Sequence, residues 1–121
     1  MSTAYVVVTL VAVVANAFSG IAAIAHLKAV TVAMTETGVP VSWLTFPIGT
    51  LKVAGAIGLL LGLLGVPFIG TAAAIGLVLY FVCAIHTHIL ASAYQPQFWL
   101  AIGFVLLAAA ALVLGLPYAS P

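Results

Sequence analysis

Long apolar stretches alternate with short polar ones along the whole chain. Four of the stretches are long enough to cross a bilayer, because a helix of roughly 20 residues spans a hydrocarbon core of about 30 Å. The intervening segments hold the glycines and prolines that end helices. The pattern predicts one domain, residues 1–121, with four membrane-spanning helices at residues 4–27, 42–64, 68–91 and 98–116.

The short connections predict how these spans are arranged. Consecutive helices joined by short loops run antiparallel, so we expect an all-α, up-down four-helix bundle in the membrane. Both chain ends and the turn at Gly65 then lie on one side, here called side A. The loops around Glu36 and Tyr94 lie on the other, called side B. Pro47, within the first two turns of the second span, predicts a bend or a late start there.

A polar segment follows the first span. Residues 29–37 predict a short helix at the membrane interface, because Gly38 and Pro40 supply a helix stop directly after it. On such a helix Glu36 would face water. The residues expected to face the membrane are Val30, Ala33 and Met34.

Composition fixes the class of protein. The chain is 67% hydrophobic and 2% charged, whereas a soluble domain carries about 25% charged residues. We therefore expect an integral membrane protein whose first partner is the lipid bilayer. A net charge of +1 argues against a nucleic-acid partner, which requires clustered basic residues. The single cysteine, Cys83, excludes a paired-thiol redox centre.

Small residues recur at helical spacing within the spans. In a bilayer such stripes let helix backbones approach closely, and they indicate the seams of the bundle or contacts in a homo-oligomer or larger membrane complex. The predicted packing glycines are Gly20, Gly55, Gly58, Gly62 and Gly76.

The most informative polar residue is Lys52, which lies inside the second apolar span. A charge at the bilayer centre costs about 2.5–3.5 kcal/mol, so it needs a function or a partner. Counted from side B, Asn16 and Tyr80 lie at a similar depth, which predicts a polar pocket floored by Lys52 and open toward side B. The pocket candidates are Lys52, Asn16, Tyr80, His26, His86, His88, Ser19 and Glu36.

Two interpretations of Lys52 stay open. It is either a cationic anchor for a ligand or a packing lock bonded to neighbouring helices. His86 and His88 point about 200° apart on a helix, so we expect one to face the pocket and the other the head groups. They cannot chelate one metal together, and no metal site is expected. The sequence also contains no catalytic triad, paired carboxylates or nucleotide-binding fingerprint, so the catalytic residues, if any, are unknown.

Several segments together resemble the DoxX-like family of small four-helix bacterial membrane proteins. The resemblance covers roughly residues 5–115 and is carried by residues 18–21 (FSGI), 38–44 (GVPVSWL), 48–62 (IGTLKVAGAIGLLLG) and 87–89 (THI). The chain departs from many relatives in having Ala23 and Ile24 where they have a basic residue, and no acidic residue near Lys52.

The resemblance implies a four-helix bundle in a bacterial inner membrane. It also implies an accessory role in a redox membrane complex, because the family takes its name from a subunit of a thiosulfate:quinone oxidoreductase. A quinone or lipid-like molecule is then the expected ligand, with no intrinsic cofactor. Distant relatives that act as chaperones or cargo receptors imply the alternative, a structural or assembly protein without a ligand.

Overall fold

The computed structural model describes residues 2–26, 28–44, 48–66, 68–94 and 96–118, with side chains for all of these except residues 29, 30, 33, 36, 41, 44, 96 and 97. Within this part the chain contains helices and no strand. The elements are α1 (Thr3–Ile24), α2 (Lys28–Thr37), a 3-10 turn (Val41–Leu44), α3 (Thr50–Leu63), α4 (Ile69–Leu90), α5 (Pro96–Gly115) and a final 3-10 turn (Leu116–Tyr118).

The four longest helices close into a ring. Helix α1 packs against α3 and α5, and α4 packs against the same two helices from the opposite side. The centre of the ring is filled by Ala12, Leu59, Leu77, Phe81 and Ala108, which are all buried. The predicted all-α membrane bundle is confirmed, with α2 as an additional short helix between the first two bundle helices.

The predicted span limits hold for three helices. Helices α1, α4 and α5 are long and apolar enough to cross a membrane, and each begins and ends within three residues of its predicted span. Within the second predicted span, residues 42–64, the α-helix α3 covers Thr50–Leu63, 14 residues. A late start was expected from Pro47, since proline disfavours helix in the residue before it; residues 45–47 themselves lie outside the described part.

Glycines set the closest approaches between helices. A Cβ built on Gly58 would lie 2.6 Å from Ala73 Cβ, and one on Gly62 would lie 2.6 Å from the Cα of Gly70. Both contacts join α3 to α4. Because real Cβ atoms do not come this close to backbone atoms, a larger residue at Gly62 would force the two helices apart.

Two other predicted glycines also lie in tight seams, and one does not. A Cβ on Gly20 would lie 2.8 Å from Val53, between α1 and α3, and one on Gly55 would lie 2.6 Å from Leu77, between α3 and α4. Gly76, the fifth glycine of the predicted packing set, does not lie in a seam within the bundle. It is exposed, and a Cβ built there would meet nothing within 4 Å.

Helix α2 is attached to the bundle through Met34. Met34 is buried and packs with Ala23, Val39 and Ile48, so the prediction that Met34 faces the membrane is wrong. The reason is that the side B ends of α1 and α3 leave an apolar surface that the methionine covers. The predicted orientations of Val30, Ala33 and Glu36 lie outside the described side chains.

Polar contacts and one aromatic pair close the side A end. Tyr5 is buried and stacks on Tyr118 with ring centroids 5.1 Å apart. The Tyr118 hydroxyl accepts a hydrogen bond of 2.7 Å from the backbone N–H of Ser2. Ser2 also caps α1, because its hydroxyl accepts a bond from the Tyr5 N–H at 3.2 Å. The start of α1 is therefore held against the final 3-10 turn.

Candidate functional site

The site is built around Lys52, which lies in the first turn of α3. Its ammonium donates a hydrogen bond of 2.8 Å to the Ser19 hydroxyl on α1. Ser19 is its one hydrogen-bond partner among the described residues. Since an ammonium has three N–H donors, two of them remain for other acceptors. Helices α1 and α3 are in close contact at Gly20, where a Cβ would lie 3.1 Å from Lys52 Cβ. This contact brings the side chains of Lys52 and Ser19 within hydrogen-bond distance.

Three aromatic rings surround the ammonium. Lys52 Nζ lies 5.8 Å from the ring centroid of Tyr80, 5.7 Å from that of Phe81 and 5.9 Å from that of Phe104. The rings of Tyr80 and Phe104 each pack edge-on against Phe81, at 4.9 and 5.2 Å. A cation within about 6 Å of an aromatic face is attracted by the ring quadrupole, so these rings stabilise the charge without neutralising it.

Lys52 lines a cavity of about 270 Å³, called here the Lys52 cavity. It occupies the side B half of the bundle, where α1 and α4 end and α3 and α5 begin, and residues from α2 and the first 3-10 turn cover it. Its lining is mostly apolar and aromatic. The lining residues are Ser19, Met34, Thr37, Val39, Trp43, Ile48, Leu51, Lys52, Tyr80, Phe81, Cys83, Ala84, Thr87, His88, Leu100, Ala101 and Phe104.

Four of the eight predicted pocket residues meet in this cavity, namely Ser19, Lys52, Tyr80 and His88. Asn16 does not. It is fully buried in α1, and its side-chain N–H donates to the carbonyl of Ala12 at 2.8 Å. An asparagine amide can bond its own helix four residues back, and here that local bond turns it away from Lys52. Its Oδ1 has no hydrogen-bond partner among the described residues.

The remaining candidates lie elsewhere. His86 is exposed. His26 is also exposed, has a left-handed backbone with φ 56°, and donates from Nδ1 to the Ile24 carbonyl at 2.9 Å. The side chain of Glu36, the one acidic residue of the chain, lies outside the described part.

His88 is the histidine that the fold holds in place. Its ring is buried, with Nδ1 3.0 Å from the carbonyl oxygen of Ala93. The Ala93 N–H in turn donates to the His88 carbonyl at 2.9 Å. The ring also packs against Phe98, with centroids 5.9 Å apart. The turn after α4 thus fixes this imidazole at the wall of the Lys52 cavity.

Sequence reasoning found one of the three aromatic rings, Tyr80, and missed the other two. Phe81 and Phe104 were not among the candidates, and no candidate lay on the fourth predicted span. Helix α5 contributes Leu100, Ala101 and Phe104 to the lining. The available signal was the lysine itself, since an ammonium in apolar surroundings is favoured beside aromatic faces.

Fold and site together define a class: an integral membrane four-helix bundle with an internal cavity that carries a lysine. The model of the DoxX-like family matches residues 7–113 of this chain. The chain belongs to the DoxX-like family, and the resemblance seen in its sequence segments is confirmed. No curated protein and no solved structure matches the chain.

Proposed function

We propose that this DoxX-like membrane protein binds a quinone, or another apolar small molecule with an oxygen-bearing head group, in the Lys52 cavity. The observation that carries the proposal is the surroundings of the Lys52 ammonium. Its ammonium has one hydrogen-bond acceptor among the described residues, lies among three aromatic rings, and lines a cavity. A ligand oxygen would satisfy a donor that the chain leaves available.

The size and lining of the cavity support a head group rather than a whole lipid. Small-molecule sites measure roughly 300–1,000 Å³ and combine apolar walls with a few polar groups. At about 270 Å³, this cavity suits one ring, whose hydrocarbon tail would extend between helices into the bilayer. The charge of Lys52 is worth more in such apolar surroundings than in water, which favours an oxygen that gains negative charge.

An accessory role is part of the proposal. The sequence has one cysteine and no dinucleotide fingerprint, so a quinone bound here would exchange electrons with a partner subunit. We propose that the protein works within a larger complex, or as a homo-oligomer, in a bacterial inner membrane. Family membership supports this placement.

Binding of decylubiquinone to the purified protein in lipid nanodiscs tests the proposal. Lys52→Met should weaken binding roughly tenfold to a hundredfold, because a hydrogen bond from a charged donor contributes about 1.5–3 kcal/mol. Lys28→Met removes the other lysine, which is exposed on α2, and should leave affinity unchanged. Equal affinity of the wild type and Lys52→Met would remove the proposal.

One observation favours a second candidate, a structural or assembly protein. The Lys52–Ser19 bond joins α3 to α1 beside the Gly20 seam, as a packing lock would. Ser19→Ala separates the two candidates, since it removes the bond between helices but keeps the ammonium. A lock predicts that Ser19→Ala and Lys52→Met lower the unfolding temperature or the oligomer size alike. The ligand proposal predicts that Ser19→Ala still binds decylubiquinone.

A further inference from the structure

His88 can supply the Lys52 cavity with a hydrogen-bond acceptor that has no hydrogen of its own to donate. A carbonyl oxygen can only accept, so the 3.0 Å contact with Ala93 assigns the hydrogen of the His88 ring to Nδ1. In neutral imidazole the other nitrogen, Nε2, then carries a lone pair. The described residues offer no hydrogen bond to Nε2, and His88 lines the cavity.

The fold holds this ring orientation from several sides. The Ala93 N–H bonds back to the His88 carbonyl at 2.9 Å, so the two residues exchange hydrogen bonds. Ser92, between the helix end and Ala93, has a left-handed backbone with φ 52° that lets the chain turn back. Phe98 packs against the ring. The hydrogen bond made by one imidazole nitrogen determines whether the other nitrogen is a donor or an acceptor. In His88 that hydrogen bond goes to the backbone carbonyl of Ala93.

The donor and the acceptor are separated along the cavity. Lys52 Nζ lies near the ring of Phe81, and His88 follows Phe81 by seven residues on α4. Seven residues rise roughly 10 Å along a helix axis. A six-membered ring with oxygens at opposite positions, hydrogen-bonded at both ends, spans roughly 11 Å between the two nitrogen atoms. The walls between them include aromatic rings, which pack well on a planar ring.

We propose that the cavity selects aromatic molecules that carry a free hydroxyl, with His88 Nε2 accepting from that hydroxyl and Lys52 donating to an oxygen at the opposite end of the ring. His88 is then a specificity-determining residue. The inference rests on the proposed function and adds a substrate class to it, a para-oxygenated phenol. A quinone, whose oxygens only accept, then binds through Lys52 and leaves His88 unsatisfied, so its hydroquinone form should bind more tightly.

A matched pair of probes tests this selection. 4-Methoxyphenol has one hydroxyl and one ether oxygen, whereas 1,4-dimethoxybenzene has two ether oxygens and no donor. The wild type should bind 4-methoxyphenol about five- to tenfold more tightly, the usual contribution of one hydrogen bond. His88→Leu should abolish the preference, and His86→Leu, at the exposed neighbour, should keep it. Calorimetry in nanodiscs measures the affinity of each protein for the two probes.

A second measurement needs no variant. In protein labelled with 15N-histidine, 4-methoxyphenol should shift the Nε2 resonance of a histidine whose Nδ1 is protonated, and 1,4-dimethoxybenzene should not. Equal affinity for the two probes, with Lys52 still required for decylubiquinone, overturns the role of His88 and leaves the proposed function intact. Binding of neither probe and no binding of decylubiquinone overturns both.

Discussion

The two halves of the bundle use the same helices in different ways. In the side A half, α3 and α4 touch backbone to backbone at Gly62 and Gly70, and Tyr5 fills the space beside Gly115. In the side B half, the same helix pair frames the Lys52 cavity. The side A half brings the helix backbones into contact, and the side B half leaves a space of head-group size.

The difference follows from residue size at matching positions. Three α3 residues in close contact with α4 are glycines, Gly55, Gly58 and Gly62, so the two helices can approach closely there. Before Gly55 the same helix carries Leu51 and Lys52, which line the cavity. The close contacts in the side A half therefore fix the helices relative to one another. Because the helices are held there, the side B half can contain a cavity while the fold remains stable.

The largest expected effect comes from forcing α3 and α4 apart in the side A half. Gly62→Leu puts a side chain where even a Cβ would lie 2.6 Å from the Cα of Gly70. Two backbones cannot separate locally without loss of packing, so we expect about 3 kcal/mol of lost unfolding free energy. Gly76→Leu is the control, because a Cβ there meets nothing within 4 Å. Unfolding in mixed detergent micelles measures both, and equal stability would contradict a closed side A half.

An intermediate effect should separate two alanines on one face of α5. Both belong to the central buried cluster, but Ala108 is fully buried, whereas Ala101 also lines the Lys52 cavity. Ala108→Leu overpacks a filled site and should cost about 2 kcal/mol of unfolding free energy. Ala101→Leu fills existing space, so its cost should stay below about 1 kcal/mol.

The effects of these two variants on ligand binding should be the reverse of their effects on stability, with the larger effect for Ala101→Leu. Ala101→Leu occupies part of the cavity and should abolish decylubiquinone binding at nearly unchanged stability. If the two leucines destabilise the protein equally in the same unfolding assay, the side B half is as closely packed as the side A half, and the comparison fails.

A smaller effect is expected where α2 covers the cavity. Met34→Ala removes the side chain that packs against Ala23. We expect a loss of about 1 kcal/mol, below the range for a closed core, because the site borders open space. Amide hydrogen exchange should become faster across residues 28–37 and stay unchanged in the α3–α4 seam. Uniformly faster exchange would show instead that the two halves unfold as one unit.

The smallest expected effect concerns the cap at the side A end. Ser2→Ala removes the hydroxyl that accepts from the Tyr5 N–H, which should cost about 0.5–1 kcal/mol. Ser42, exposed in the side B half, is the matched control, and Ser42→Ala should change the unfolding free energy by less. If Ser42→Ala lowered the unfolding free energy more than Ser2→Ala, the side A half would not be the more firmly held of the two.

Much of the fold could be read from the sequence, because apolar length and helix stops are local properties. The three long helices and the close contacts of Gly20, Gly55, Gly58 and Gly62 were predicted in this way. Gly70 was missed, since one glycine on α4 gains its meaning only from the glycine that faces it on α3. The predicted second span began at residue 42, where the apolar residues form a 3-10 turn rather than α-helix, and α3 begins at Thr50.

The site was harder to predict than the fold. Depth counting brought Tyr80 near Lys52, but it could not tell Ser19 from Asn16, which lie one turn apart on α1. Which of the two meets the lysine depends on helix rotation and on a local bond, Asn16 to Ala12. Likewise, periodicity separated His86 from His88, but only the turn at Ala93 decides which imidazole is fixed.

The short length of α3 has a consequence for the backbone that precedes it. Fourteen residues of α-helix rise about 21 Å, less than a hydrocarbon thickness of about 30 Å. On its side B end α3 is preceded by a 3-10 turn, Val41–Leu44. Backbone that is not α-helical is tolerated at membrane depth only where protein buries it or where it lines a cavity, and Trp43 and Ile48 line the Lys52 cavity. We therefore expect the same residues that border the cavity to keep this backbone away from the lipid.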